Sequence, residues 1–287
     1  MPRNPARPSL TRTARFAWAA VAVLLVGVVA LVVFAFTGTP VTVRVVHRTV
    51  TSPAVLHSLA SVPATTFNTV GVAAPGTGLT APTVVTGQPR FRSATGKPEV
   101  FFVGAEYCPF CASERWVVVV ALSRFGTFGA LDDMQSSNTS VFPGVQTFSF
   151  VHASYTSRYV AFDGVELYSN VPDTHGVYTR IATLTSAQQE LIARYRAPVG
   201  TAEPFPFVDV DNRVVAPSAG FSPSALERLS QGTIVDDLRQ AVTPESRAIV
   251  ASANYLSAGI CAATHQQPAS VCTSKGVRSA GQALGLG

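Results

Sequence analysis

The sequence predicts an α/β domain that follows a single N-terminal membrane-spanning helix. Residues 16–36 predict the helix, because this run has no charged residue and is rich in Val, Ala and Leu. The α/β domain is predicted from residue 98 onward, where short β-prone apolar runs alternate with segments of helical pattern. Apolar residues make up 47% of the chain and charged residues only 13%, so a core can form and a disordered chain is excluded.

The apolar run is long enough to cross a membrane, which takes about 20 residues of helix. It is preceded by four arginines, and the next basic residue after it is Arg44. The positive-inside rule therefore predicts a cytoplasmic tail at 1–15, an anchor at 16–36 and the rest of the chain outside the cytoplasm. A cleaved signal peptide is the alternative, but its apolar core is usually shorter. We therefore expect a single-pass protein of the cell membrane.

The net charge of +5 comes mostly from this N-terminal tail. Of the 21 basic residues, four lie before the apolar run, which leaves 17 against 16 acidic residues in the rest of the chain. These four are Arg3, Arg7, Arg12 and Arg15. The folded part thus has no basic excess of the kind that nucleic-acid binding needs, and no nucleic-acid partner is expected.

The exported part divides into two predicted regions. Residues 37–97 contain no acidic residue and are rich in Thr, Val, Pro and Gly. They predict a spacer and an irregular N-terminal extension, with firmer packing as the alternative. Residues 98–287 predict the α/β domain.

The elements of this domain follow from its apolar periodicity and its turn signals. Residues 153–184 are expected to be irregular. In chain order, the other predictions are a strand at 99–105, a helix at 112–125, a strand at 145–151, a helix at 185–195 capped by Thr185 or Ser186, a hairpin at 206–215 that turns at Asp211-Asn212, helices at 223–230 and 233–241, and a long helix from Pro244 to about Gly259.

A Cys-Pro-Phe-Cys motif lies where the first strand passes into the first helix. Cys108 closes the strand and Cys111 lies one helical turn further on. Pro109 suits the first helical position, where a missing N–H costs nothing. The sulfur of Cys108 is therefore expected at the helix N-terminus, where free N–H groups and the helix dipole stabilise a thiolate. Cys108 is the predicted nucleophile, and Cys111 the residue that resolves a mixed disulfide.

Two other interpretations of the motif stay open. Cys-x-x-Cys pairs also bind zinc, but such sites usually need a second pair of ligands. The other two cysteines, Cys261 and Cys272, lack this spacing, and only His265 lies near them in sequence. A purely structural disulfide between Cys108 and Cys111 is the other alternative. We favour a redox pair and predict neither a metal site nor a cofactor.

The segment Ala105–Cys111 resembles the Ala-Glu-aromatic-Cys-x-x-Cys entry of thioredoxins. Over about residues 50–280 the chain is similar to an actinobacterial and archaeal family of thioredoxin-like proteins, domain of unknown function 929. This resemblance implies a thioredoxin-like fold with an insert and a C-terminal helical extension, and it assigns no activity. The segments that carry it are Gly104–Trp116, Ala121–Phe128, Thr147–Phe150, Tyr155–Tyr159 and Pro206–Asp209.

Three positions gain an expectation from the resemblance to thioredoxins. Pro206 is expected to be the cis-proline beside the cysteine pair, with Pro204 as the alternative. Thioredoxins carry a buried aspartate six residues before the first cysteine, whereas this chain has Phe102 there. Glu106 or a water is a candidate to replace that base, although Glu106 could equally be a solvated loop residue.

Further candidates surround the motif. Glu106, Pro109, Phe110 and Arg115 are predicted to tune the cysteine pair. Trp116 could line a substrate surface, but core packing is the favoured interpretation. For the neighbouring acidic residue of the helix, Glu114, a surface ion pair is expected.

Cys261 and Cys272 are predicted to form a structural disulfide, because the number of cysteines is even and the expected location is oxidising. A second redox pair is the alternative.

The sequence thus predicts thiol–disulfide exchange on exported proteins. The partners would be the thiols or disulfides of those proteins, together with a membrane redox partner. One alternative is a redox-inactive binding module that presents its aromatic surface. The other is a structural envelope protein in which both cysteine pairs are staples. The sequence leaves open whether the chain is an enzyme.

Overall fold

The computed structural model describes residues 48–74, 76–195 and 205–286. The predicted tail and anchor lie outside this part of the chain, as does Pro204. Among the described residues, no helix combines the length and the apolar character that crossing a membrane requires.

The described chain is of mixed α/β type, as the sequence predicts. Its helices are α1 Pro53–Ala60, α2 Ala64–Val70, α3 Pro109–Leu122, α4 Ser186–Tyr195, α5 Gln231–Asp237, α6 Pro244–Ala263, α7 Ala269–Cys272 and α8 Lys275–Leu284, with a turn of 3-10 helix at Pro223–Leu226. Its strands are β1 Thr49–Val50, β2 Thr83–Val84, β3 Glu99–Gly104, β4 Thr127–Gln135, β5 Gln146–Thr156, β6 Ala161–Glu166, β7 Tyr168–Pro172, β8 Tyr178–Arg180, β9 Phe207–Val210 and β10 Val214–Ala216.

A five-stranded sheet carries the cysteine motif, with the strand order β2-β10-β9-β3-β6. Strand β3 is parallel to β6 and antiparallel to β9. Its residues from Val100 to Gly104 are all buried, which explains why it reads as a continuous apolar run rather than an alternating one. The motif therefore begins at the carboxyl end of an interior strand.

Helix α3 follows the motif and is buried along nearly its whole length. Its four consecutive valines, Val117–Val120, are poor helix formers, so packing rather than propensity must stabilise it. The helix contacts both α6 and β5. It thereby lies between α6 and the second sheet, whose order is β1-β4-β5.

The N-terminal extension is more firmly packed than its composition predicts, so the alternative holds over α1 and α2. Phe67 of α2 is 2% exposed, and the guanidinium of Arg124 lies 3.9 Å from the centre of its ring. Asn254 of α6 donates hydrogen bonds to the backbone oxygens of Phe67 and Gly71 at 2.9 and 2.8 Å. Helix α2 is thus fixed to the C-terminal helices.

Several predicted elements are confirmed. Strand β3 lies where expected, and the β9–β10 hairpin turns at Asp211 and Asn212, both with a φ of 53°. Thr185 and Gln188 form a reciprocal pair at the start of α4, because each side chain accepts a hydrogen bond from the other residue's N–H. The long helix from Pro244 continues four residues beyond Gly259, to Ala263.

Other predictions are wrong or incomplete. Residues 153–184 are not irregular, since the end of β5 and all of β6, β7 and β8 lie there. Strand β4 was not predicted. The helix after the motif begins at Pro109, as the proline at its first position indicated, and ends at Leu122 rather than 125. The strand predicted at 145–151 exists as β5 but belongs to the second sheet. The expected helix at 223–230 is one 3-10 turn, and that at 233–241 spans Gln231–Asp237.

Candidate functional site

Cys108 is the N-cap residue of α3. Its Sγ accepts a hydrogen bond from the Cys111 N–H at 3.4 Å, and Pro109 stands at the first helical position. The capping sulfur thus occupies the place that a Ser or Asp oxygen usually takes, where free N–H groups favour negative charge. The sequence predicted this placement from the motif alone.

The two cysteines of the motif are free thiols in different environments. Cys108 is 8% exposed, whereas Cys111 is fully buried. The pKa of Cys108 is lowered to about 7, chiefly because the Cys111 thiol donates a hydrogen bond to its sulfur. The Cys111 N–H and the charge of Arg115 lower this pKa further, while burial opposes them. Burial raises the pKa of Cys111 well above its usual value. Cys108 is therefore the thiol that forms a thiolate near neutral pH.

Pro206 lies beside the motif through the pairing of β9 with β3. Phe207 is the register partner of Val103, so Pro206 sits next to the residues that lead into the motif. The Phe205–Pro206 peptide bond is cis. The ring of Phe205 meets the ring of Tyr107 edge-on, with centroids 5.9 Å apart.

Arg115 is fully buried and forms a two-pronged ion pair with Glu166 of β6. Its Nε and Nη2 donate to the two carboxylate oxygens at 2.8 and 2.7 Å. Nη2 also donates to the backbone oxygen of Ala105 at 2.8 Å. The guanidinium of Arg115 therefore connects α3 to β6 and to the segment that leads into the motif. Glu166 was not a candidate in the sequence, because the surrounding residues were predicted to be irregular.

Glu106 is buried rather than solvated. Its Oε1 accepts hydrogen bonds from Arg48 Nε and Ser149 Oγ, both at 2.6 Å. Arg48 is partly exposed, so this carboxylate is connected to the protein surface. Neither Arg48 nor Ser149 carries a sequence signal that could have identified it. That Glu106 moves a proton stays a prediction.

The structure separates the other candidates on α3. Trp116 is a core residue, as favoured, and its Nε1 donates to the Gln146 oxygen at 2.8 Å. The expected surface ion pair of Glu114 is wrong, because this residue is buried and its carboxylate accepts a hydrogen bond from the Gly220 N–H at 2.7 Å. Burial raises the pKa of Glu114 to about 8.

Phe102 is buried and packs edge-on against Phe150, so its position holds no base.

Aromatic side chains surround the entrance to the cysteine pair. Phe110, between the two cysteines, is 41% exposed and meets Phe142 edge-on at a centroid distance of 5.8 Å. Tyr107 stacks on Tyr178 of β8. The loop after β4 and the β7–β8 hairpin thus both reach the motif.

Family comparison matches residues 88–262 with the family described as domain of unknown function (DUF929). This match covers more than half of the chain and includes both cysteines of the motif. The chain belongs to this family. No curated protein and no solved structure gave a significant match.

The DUF929 match ends beside the second cysteine pair, because Cys261 lies inside it and Cys272 beyond it. The structure contains a disulfide between these residues, with a Cα–Cα distance of 5.5 Å. It links the last turn of α6 to α7, and both cysteines are buried. Within the described residues, no group of three or more His, Cys, Asp or Glu side chains is placed to hold a metal ion.

Proposed function

We propose that the chain exchanges thiols and disulfides through Cys108 and Cys111. The observation that carries the proposal is the position of the Cys108 sulfur at the N-terminus of α3, slightly exposed and beside a second, buried thiol. Its pKa of about 7 leaves a large thiolate fraction at neutral pH. A structural staple would not need this asymmetry between the two thiols.

We further propose that the fold is thioredoxin-like. The support is topological: β3, the motif and α3 lead to the parallel strand β6, and α4 then leads to the antiparallel hairpin β9–β10 and to α6. In this arrangement the β4–β5 region and the β7–β8 hairpin are insertions. The motif then stands at the strand–helix junction where thioredoxins carry theirs.

The proposed setting is the outer face of the cell membrane, with residues 16–36 as the anchor. The support is the charge asymmetry around that run in the sequence. The partners would be exported proteins with thiols or disulfides. A membrane redox partner would then return the cysteine pair to its starting state.

The proposed exchange has two steps. The Cys108 thiolate attacks one sulfur of a substrate disulfide, the substrate S–S bond breaks, and the other substrate sulfur leaves as a thiolate. The Cys111 thiol then gives its proton to the released substrate thiolate, and its sulfur attacks the Cys108 sulfur and expels the remaining substrate thiolate. The substrate disulfide gains two electrons and the cysteine pair loses two. Run backwards, the same steps oxidise a substrate dithiol.

The test is the reduction potential of the pair in the full chain, equilibrated in graded thiol–disulfide buffers and followed by alkylation and mass spectrometry. A value between about −120 and −270 mV lies in the range of known exchange catalysts and would support the proposal. The Cys111→Ser variant should also trap a mixed disulfide on Cys108. A potential below about −300 mV would indicate a structural disulfide and contradict the proposal.

Two variants serve as controls. The double variant Cys261→Ala/Cys272→Ala should lose about 3 kcal/mol of stability, because it opens a short closed loop, but it should keep exchange activity. Cys108→Ser/Cys111→Ser should fold and lose exchange. If this second variant binds a partner protein as tightly as the wild type does, and the wild type shows no thiol exchange, the chain is better described as a binding module.

A further inference from the structure

The side chain of Arg115 lies on the same face of α3 as Cys111, because the two residues are four positions apart in the helix. Helical side chains lean towards the N-terminus, so the guanidinium is directed to the turn that holds the cysteine pair. The hydrogen bond from Nη2 to the Ala105 oxygen, three residues before Cys108, agrees with this direction. Arg115 is therefore a buried cation close enough for its charge to lower the pKa of both thiols.

The hydrogen bonds of Arg115 leave one donor group unused. Nε and Nη2 are taken by Glu166 and Ala105, but Nη1 is buried and has no hydrogen-bond partner among the described residues. An unsatisfied donor on a buried charge is costly. This cost is explained if Nη1 gains a partner when the Cys108–Cys111 disulfide opens and a thiolate forms on Cys111.

A buried ion pair is also a poor way to stabilise a fold. Removing two charges from water often costs more than their attraction returns, and apolar residues of similar volume frequently serve better. Arg115 and Glu166 are both fully buried. Meanwhile Phe102 occupies the place where a base could deprotonate the buried thiol. A cation near Cys111 offers a different solution, since it stabilises the thiolate itself.

We propose that Arg115 stabilises negative charge on both sulfurs of the motif, on Cys108 in the reduced pair and on Cys111 when the cysteine disulfide opens, and that Glu166 limits how strongly Arg115 acts on them. Both are positioning residues, and this inference rests on the proposed exchange at Cys108 and Cys111. The inference identifies the charged residues that set the charge state of the two sulfurs, and the motif alone does not reveal them.

The step concerned is the opening of the Cys108–Cys111 disulfide by a substrate thiolate. The incoming sulfur forms a bond to Cys108 Sγ, the Cys108–Cys111 bond breaks, and its electron pair leaves on Cys111 as a thiolate. No proton moves in this step, so no base is needed. In the reverse step, the same thiolate attacks the mixed disulfide and releases the substrate.

The charged groups around Arg115 decide the signs of the expected effects. Glu166 faces it from β6, and Glu106 faces it from the loop before the motif, where Arg48 balances Glu106. Burial raises the pKa of Glu166, and its two short contacts with Arg115 oppose that rise and favour the ionised pair. Neutralising Arg115 then removes a positive charge from the surroundings of the sulfurs. Neutralising Glu166 leaves the positive charge of Arg115 uncompensated, so the sulfurs experience more of that charge.

The test measures the pKa of Cys108 in the full chain from its alkylation rate across the pH range, with the site assigned by mass spectrometry. Arg115→Gln should raise this pKa and Glu166→Gln should lower it, each by about half a unit or more, which changes the thiolate fraction at pH 6 about threefold. Arg115→Lys keeps the charge and should restore most of the wild-type value. A merely structural ion pair predicts lost stability in both Gln variants without opposite shifts.

The matched control is Asp211→Asn. It removes the buried carboxylate of another ion pair, that with the partly exposed Arg90, at the opposite end of β3 from the motif. This variant should leave the pKa of Cys108 unchanged. If either single Gln variant does not fold, Arg115→Gln/Glu166→Gln removes both buried charges and should still raise the pKa of Cys108.

Shifts of the same sign in the two Gln variants, or no shift in any variant, would overturn the inference. The outcome is separable from that of the proposed function. Opposite shifts in a chain that exchanges no thiols would uphold the electrostatic role and refute the exchange. Normal exchange, together with a Cys108 pKa that is unchanged in the variants, would uphold the exchange and refute the electrostatic role.

Discussion

The ring of Tyr107, directly before Cys108, is stacked on the ring of Tyr178, with centroids 4.0 Å apart and planes inclined by 16°. Tyr178 belongs to β8, and its hydroxyl donates to Ser137 Oγ at 2.7 Å. One side chain of the β7–β8 hairpin thus contacts both the motif and the loop after β4. The hairpin is therefore part of the framework that holds the cysteine pair.

This contact predicts how two substitutions of Tyr178 differ. Tyr178→Phe keeps the stacked ring and loses the hydroxyl contacts, which should cost about 1 kcal/mol of unfolding free energy. Tyr178→Ala also loses the stack and should cost at least about 1 kcal/mol more. Denaturant unfolding of both variants measures the difference. Equal stability of the two variants would show that the stack contributes nothing.

The buried carboxyl of Glu114 predicts a pH dependence of stability. Its pKa of about 8 in the folded chain lies far above the value near 4 expected for an unfolded glutamate, because burial disfavours the charged form. The unfolded chain therefore releases this proton first as the pH rises. The contribution is fully present below about pH 4 and is lost as the pH rises through about 8.

Glu114→Gln tests this prediction, because glutamine can still accept the hydrogen bond from Gly220 but cannot ionise. The stability of the variant relative to the wild type should increase from pH 5 to about pH 8 and level off above it. Asp209, whose pKa burial raises to about 7, contributes with the same sign in both proteins and cancels in the difference. Denaturant unfolding of the variant and of the wild type at three pH values measures this difference in stability. A difference that does not change with pH would mean that Glu114 is not protonated in the fold.

The packing of α2 on the C-terminal helices predicts opposite effects for two glycines of α8. A Cβ on Gly276 would lie 2.3 Å from the backbone oxygen of Phe67, so Gly276→Ala should cost about 1–3 kcal/mol. A Cβ on Gly281 would have no atom within 4 Å, so Gly281→Ala should stabilise the helix by up to about 1 kcal/mol. Thermal unfolding of the two variants compares them. Equal effects would contradict the docking of α2.

The predictions that succeed rest on signals contained in a few neighbouring residues. The Asp211-Asn212 turn, the Thr185–Gln188 cap and Pro109 at the start of α3 each act within one turn of chain. The failures lie where local propensity and tertiary packing disagree. Strand β6 contains Asp163 and Gly164, which are rare in strands, so pairing with β3 must impose its conformation.

The sequence by itself determined where the sulfur at the centre of the site lies. A strand, a Cys-Pro-Phe-Cys motif and a helix in that order place a sulfur at a helix N-terminus, because backbone geometry allows little else. The family also followed from the residues around the motif.

Only the tertiary structure decided which charges surround that sulfur. Glu166 is 51 residues from Arg115, and Arg48 is 58 residues from Glu106. Contacts across such separations leave no periodic pattern in a sequence, since they depend on which strands pair and in what register. The motif fixes where the two sulfurs lie, and the folded chain fixes which charges lie around them.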